Sequence, residues 1–267
     1  AQVFARFGVR VTVVQHGPRL LPGDEPEASA LLEKVFVEEG IRVLTGVELT
    51  RAAYAEGRFA LDLDTGERLE SDKLLVAAGR TPNLDDLGLE TVGLDPAART
   101  IEVDERLRAG ERLWAIGDVT GKGAFTHVSM YQSAVALRDV LGEEGAPATY
   151  HAVPHTTFTD PEVAGVGLSE QRARDAGLRV RTGSTPLEQS SRGFTHGAGG
   201  HGLIKVVEDA DRGVLVGATA VGPAGGEILG FLAVAVHAAV PVETLRNMMY
   251  AYPTFHRAIE SAIADLS

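Results

Sequence analysis

Residues 9–44 read VRVTVVQHGPRLLPGDEPEASALLEKVFVEEGIRVL, and the order of patterns in them decides the fold class. Val9–Val14 is a β-branched run, too short for a helix and suited to a buried strand. His-Gly-Pro-Arg turns the chain, a helix opens over 24–28 and ends at Gly40, and Ile41–Leu44 forms a second short strand. Upstream, Val3, Phe4 and Phe7 make one apolar helical face that Gly8 terminates. Helix, strand, helix, strand implies an α/β fold with a parallel sheet and right-handed crossovers. This is the second part of a dinucleotide-binding unit. Its first strand and Gly-rich turn are expected to precede Ala1, so the chain is expected to be the C-terminal portion of a longer protein.

Further along, 58–64, the turn DTGE, 68–71 and 73–78 are expected to form a small antiparallel meander. A Pro/Asp/Gly-rich crossing runs from Thr81 to Ala98. Arg112–Ile116 then reads as a short buried strand stopping at Gly117-Asp118, with a helix from about Val128 to Val140. Gly142–Pro147 reads as a linker, followed by hairpin strands and two helices.

Composition excludes several classes. A net charge of −12 disfavours a nucleic-acid backbone as partner. The longest apolar stretch, Ile228–Val242, holds a His and a Pro and is too short to span a bilayer. No signal-peptide layout is present, so a cytoplasmic location is the expectation. The chain has no cysteine, which rules out disulfides, thiolate metal sites and a thiol nucleophile from these residues.

Four stretches together resemble the flavoprotein pyridine nucleotide–disulfide oxidoreductases, the family of dihydrolipoamide dehydrogenase, glutathione reductase and mercuric reductase. They are LLVAAGRTPNLDDLGLETVGL (74–94), RLWAIGDVTGKGAFTHVSM (112–130), TTFTDPEVAGVGLSE (156–170) and GLIKVVEDADRGVLVGATAVGPAGGEIL (202–229). The resemblance implies partial Rossmann-like NAD(P)- and FAD-binding domains followed by an α+β dimerisation domain. The bounds are 1–75 for a truncated NAD(P) domain, 76–147 for the C-terminal part of the FAD domain, and 148–267 for dimerisation.

In WAIGD a buried strand delivers Asp118 at its C-terminal end, where α/β folds place their ligands. The resemblance puts this carboxylate on the ribitol of FAD, with Gly117 allowing close backbone approach. Thr126 and His127 stand at a helix start, where open N–H groups and the positive dipole end favour anions. The family uses this helix end against the flavin pyrimidine. Taken alone, Asp118 reads as a turn residue and Thr126 as a plain N-cap, and the four-motif context reverses that. Ala78 and Gly79 are small enough to let a dinucleotide approach. Arg80 is expected to pair with a carboxylate. After Val14, where NAD-selective units carry an acid, the chain has Gln15, with His16 and Arg19 beyond it. This tilts the nicotinamide cofactor towards NADPH, although Arg19 reads equally as a solvated charge.

Residues 248–262, MMYAYPTFHRAIESA, hold the chemically decisive turn. Disulfide-reducing members of the family read His-Pro-Thr here, with a Glu three residues after the Thr, a general acid–base dyad for redox thiols. This chain has Tyr252-Pro253-Thr254 followed by Arg257. A phenol with an ordinary pKa of about 10 is a poor proton partner for a thiol, and Arg is no base. Tyr252 is retained as a hydrogen-bond donor to an acceptor such as a quinone. His256 and Glu260 share a helical face as a shifted dyad, weighed against a plain surface ion pair. No C-terminal Cys pair of the mercuric reductase type is present. His196 and His201 lie in a glycine-rich hairpin loop without metal-ligand spacing, so no metal is expected. The expected parent is a homodimeric FAD-dependent NAD(P)H oxidoreductase passing electrons to a small-molecule acceptor. The alternative is a catalytically silent dimerisation and partial cofactor-binding module.

Overall fold

The computed structural model describes residues 1–197 and 201–267. These form two compact units, one made of Ala1–Val76 with Pro154–Ser267 and the other of Ala77–Val153.

The first unit begins with α1 (Gln2–Arg6), β1 (Thr12–Gln15), α2 (Pro26–Glu38) and β2 (Arg42–Thr45). β1 and β2 pair in parallel from Thr12–Arg42 to Gln15–Thr45, as the α/β alternation requires. The strand starts at Thr12, three residues later than expected from Val9. Pro26 opens α2 in the first turn, where its missing N–H is no loss. Ala28, Leu32 and Phe36 of α2 are buried with Leu20, Ile41, Val163 and Val221 in one core. Strands β3 (Leu49–Ala55), β4 (Arg58–Leu63) and β5 (Arg68–Ser71) make an antiparallel meander, with Gly66 N–H donating to Leu63 O at 3.0 Å in the β4–β5 turn.

The meander corrects one expectation. Its third strand is β3, while 73–78 forms no ladder and leaves Leu75 and Val76 71% and 76% exposed. An apolar run forms a strand only where a neighbouring backbone accepts its hydrogen bonds, and among the described residues no strand pairs with it. LTRAAYA carries only a faint hydrophobic alternation, because nearly all of it faces outward.

The second unit holds a 3₁₀ turn at Leu89–Val92, the short antiparallel pair β6 (Arg108–Gly110) and β7 (Leu113–Trp114), and α3 (Thr126–Val140). β7 is shorter than the expected strand 112–116. Leu107, Val135 and Ala136 are its buried centre, with Trp114 packed against them. Asp139 pins this corner: it accepts from Trp114 Nε1 at 2.8 Å and from both arms of the Arg108 guanidinium.

The first unit resumes with β8 (Pro154–Thr157), β9 (Glu162–Gly167), α4 (Glu170–Asp175), β10 (Val180–Pro186), α5 (Ser191–His196), β11 (Leu203–Asp209) and β12 (Val214–Gly222). Three helices close it: α6 (Gly225–His237), α7 (Val242–Arg246) and α8 (Ala258–Ala264). The strands form one antiparallel sheet in the order β10-β11-β12-β9-β8. α6 lies over β12 and β9, and α8 over β10. Two terminal helices were expected and three are found, because α7 is a single five-residue turn with little periodicity. The expected loop around His196 is also corrected: Ser190 accepts from Gly193 N–H and caps α5. The remainder of that stretch, 198–200, lies outside the described residues.

Candidate functional site

In the second unit, Leu107 O accepts from Ala115 N at 3.1 Å and brings the chain to Gly117. Gly117 has φ +83°, a conformation glycine adopts without steric cost. Both of its backbone groups are held. Its N–H donates to Gln132 Oε1 at 2.6 Å, and its carbonyl accepts from Thr120 Oγ1 at 2.8 Å. Asp118 follows with its carboxylate exposed and 3.4 Å from Arg80 Nη1. The same nitrogen donates to Ala124 O at 2.9 Å, so the expected carboxylate pair of Arg80 is formed, and with Asp118. Gly79 has φ +117°, and Ala78 and Gly79 are exposed outside any strand instead of ending one.

Thr126 is the first residue of α3, and extended Phe125 takes the N-cap position with no side-chain cap. The alternative of Thr126 as an N-cap is therefore not what the backbone adopts. The rings of Phe125 and His127 stack at 5.1 Å, and both side chains are exposed with Thr126 at the helix start. Sequence reasoning missed Gln132, which is fully buried in α3 behind this turn. A polar residue one face away from the exposed start was the available signal.

In the first unit, β1 ends at Gln15 and His16 is exposed. Arg19 is drawn inward: Nη1 donates to Leu21 O and Ser29 Oγ at 3.0 and 2.7 Å, and Nη2 to Pro22 O at 2.9 Å.

The Tyr252 turn lies between α7 and α8, with a cis peptide between Tyr252 and Pro253. Thr254 Oγ1 donates to Ala251 O at 2.8 Å and accepts from Arg257 N at 3.0 Å, fixing the turn. Tyr252 is 69% exposed, and the Arg257 guanidinium stands 5.7 Å from its ring centroid. Arg257 Nη2 pairs with Glu260 at 3.1 Å. His256 instead packs edge-on against Phe231 at 4.8 Å and beside Tyr250 at 5.1 Å, and burial lowers its pKa. The carboxylate of the proposed shifted dyad is thus taken by Arg257. Tyr250 donates its hydroxyl to Leu245 O at 2.9 Å, and burial, with Glu260 adding, pushes its pKa up to about 12.

Glu25, Glu27 and Glu170 converge closely enough to suggest a cation site. The ammonium of Lys205 occupies it, at 3.0, 2.7 and 2.8 Å from the three carboxylates. His201 pairs with Glu38 at 3.3 Å, and His196 meets the Phe255 ring at 5.5 Å, so the two histidines go to separate partners.

A parallel strand–helix–strand piece, a glycine-aspartate turn before a helix start, and an antiparallel sheet with helices define an α/β chain of dinucleotide-binding type with an α+β dimerisation domain. Residues 1–135 match the family model described as pyridine nucleotide-disulphide oxidoreductase, and residues 153–263 match the dimerisation domain of that family. The chain belongs to the pyridine nucleotide-disulphide oxidoreductases, a family that works with FAD and NAD(P). It is 34% identical over 272 residues to dihydrolipoyl dehydrogenase of Thermus scotoductus, covering 99% of this chain and 58% of that protein. It is also 34% identical to mercuric reductase of Streptomyces lividans, covering 98% and 56%. Among solved structures, LpdA of Mycobacterium tuberculosis superposes with a TM-score of 0.88 at 28% identity, covering 98% of this chain and 57% of that one. The chain thus spans less than two thirds of the length of these relatives. Among the described residues, no helix is long and apolar enough to cross a membrane.

Proposed function

We propose that this chain is the C-terminal portion of an FAD-dependent NAD(P)H oxidoreductase whose acceptor is a non-thiol molecule such as a quinone. The observation that carries the acceptor is Tyr252, an exposed phenol with a cation at its ring, where the family's thiol chemistry uses a His–Glu dyad. The imidazole of this turn, His256, packs against Phe231 and Tyr250, while Glu260 pairs with Arg257. Tyr252 donates a hydrogen bond to an acceptor oxygen, and Arg257 favours negative charge developing there.

The flavin reading rests on donor chemistry. Gly117 offers a backbone without a side chain, Asp118 an exposed carboxylate for a polyol, and Thr126 and His127 an uncapped helix start for an electron-rich ring edge. These groups fit FAD, which when bound supplies the hydride-accepting ring. Ala78 and Gly79 leave room for a dinucleotide. The lack of an acid at Gln15 favours NADPH, and with Arg19 tied to its own loop the exposed candidate for contact with a 2′-phosphate is His16. The domain bounds 1–75, 76–147 and 148–267 follow the same reading. Homodimerisation is supported by the match over 153–263 and by exposed Phe158 and Met249 within it, 84% and 96% accessible.

The test is to measure NAD(P)H-dependent reduction of a quinone and of lipoamide by the enzyme containing this chain. Quinone turnover that falls in Tyr252→Phe, with lipoamide inert until Tyr252→His, is the expected pattern. Efficient lipoamide reduction with Tyr252 in place sinks the acceptor reading. A second reading is a catalytically silent dimerisation and partial cofactor-binding module, for which the match of residues 153–263 to the family's dimerisation domain speaks. FAD colour retained by the purified 267-residue chain counts against it.

A further inference from the structure

We infer that Gln132 is the positioning residue that holds the Gly117–Asp118 turn in register with the start of α3. The inference rests on the FAD reading for its consequence, but not for its geometry.

Gln132 lies in the second turn of α3 and is wholly buried. A buried amide is costly unless every group on it is satisfied. Here Nε2 donates to Thr120 Oγ1 at 3.1 Å and to the Tyr150 hydroxyl at 2.9 Å, and Oε1 accepts from Gly117 N at 2.6 Å. The orientation is forced. Gly117 N is only a donor, so the amide oxygen must face it. Thr120 spends its proton on Gly117 O at 2.8 Å and is left to accept from Gln132. Tyr150 completes the set, and burial raises its pKa, keeping the phenol protonated.

The arrangement has a directional consequence. Asp118 and the Thr126–His127 helix start are the two features assigned to the flavin, and they sit on different segments. Gln132 belongs to the helix, while Gly117 and Thr120 belong to the turn that carries Asp118. One buried side chain therefore ties the turn that carries Asp118 to the helix whose start faces the flavin. A leucine fills the same volume and makes none of the three bonds.

Hydrogen exchange on the 267-residue chain tests this, comparing wild type, Gln132→Leu and Tyr150→Phe. The Gly117 amide is expected to exchange about tenfold faster in Gln132→Leu, the loss of one buried hydrogen bond. Ala115 N–H, bonded to Leu107 O, is the local control and is expected to stay protected. Tyr150→Phe, the milder variant, is expected to give a smaller acceleration confined to the same turn. Unchanged Gly117 exchange overturns the inference. Equal acceleration of Gly117 and Ala115 in both variants also overturns it, because that is a general loss of packing. In the FAD-loaded enzyme, Gln132→Leu is expected to shift the flavin absorption bands and speed flavin release. Local acceleration at Gly117 with unaltered flavin spectra overturns the positioning role. A wild-type enzyme that takes up no FAD instead defeats the flavin reading, and the exchange result still decides the network.

Discussion

Lys205 Nζ lies 3.0 Å from Glu25 Oε2, with the two side chains only 5% and 2% exposed. Lys205 is on β11, Glu25 precedes α2, and Glu170, at 2.8 Å from the same nitrogen, begins α4. Glu25 Oε1 also accepts from Glu170 N at 2.7 Å. This cation therefore joins the strand–helix–strand piece to the antiparallel sheet. Burial alone works to lower its pKa, but the hydrogen bonds it donates to Glu170, Glu27 and Glu25 carry it well above the usual lysine value. Lys205→Met is expected to cost about 3–5 kcal/mol, since it strands buried carboxylate charge. Denaturant unfolding measures this, and Lys205→Met combined with Glu25→Gln should recover part of the loss. A loss below about 1 kcal/mol rejects the role given to the cluster.

Acid should loosen the same cluster. The carboxyl of Glu170 is held below its ordinary value of 4.5 by Lys205 first and Arg174 second. A lowered native pKa contributes stability that is full above the unfolded value and is lost as pH falls through the native one. Melting temperature is thus expected to decline below about pH 4.5, the ordinary glutamate range. Glu170→Gln should start less stable at pH 7 and decline less steeply. Asp139, also lowered, with Arg108 the leading cause, leaves a residual slope in both proteins. Parallel slopes for wild type and Glu170→Gln count against this assignment.

Much of this fold was legible in residue order. The α/β alternation over 9–44 gave the parallel β1–β2 pair because strands and helix there have distinct periodicities. The exposed β3 was illegible because its side chains face outward, and 73–78 misled because composition does not reveal whether a strand has a partner. At the site, Gly117, Asp118 and Tyr252 were nameable from local motifs. Gln132, Lys205 and the enclosure of His256 depend on residues far apart in sequence, and no local pattern encodes them.

Gly183 on β10 offers a packing test. A Cβ built there would collide with Ala262 O of α8 and stand 2.8 Å from Leu266 N just beyond that helix, both backbone atoms. Strand and helix touch only because the side chain is missing. Gly183→Ala should push α8 outward and cost more than the about 1–3 kcal/mol typical of an added methylene. Thermal unfolding reads the loss, and a melting temperature within a degree of wild type would contradict the contact.

His256 separates the two accounts of the Tyr252 turn. Burial against Phe231 and Tyr250 lowers its pKa from 6.5, so the fold favours the neutral ring. Stability from that preference is complete above pH 6.5 and fades as pH falls through the lowered native value. His256→Phe keeps a ring in the aromatic cage and removes the proton site. Near pH 8 its stability should match wild type within about 1 kcal/mol, as volume-conserving exchanges do. Between pH 6 and 5 it should be the more stable of the two. Turnover by the enzyme containing the variant should remain within about threefold of wild type, because His256 packs against Phe231 and Tyr250 and is not hydrogen-bonded to Tyr252. A loss of a hundredfold or more, the size of a missing general base, would make His256 the displaced partner of the thiol chemistry and remove the case for a quinone.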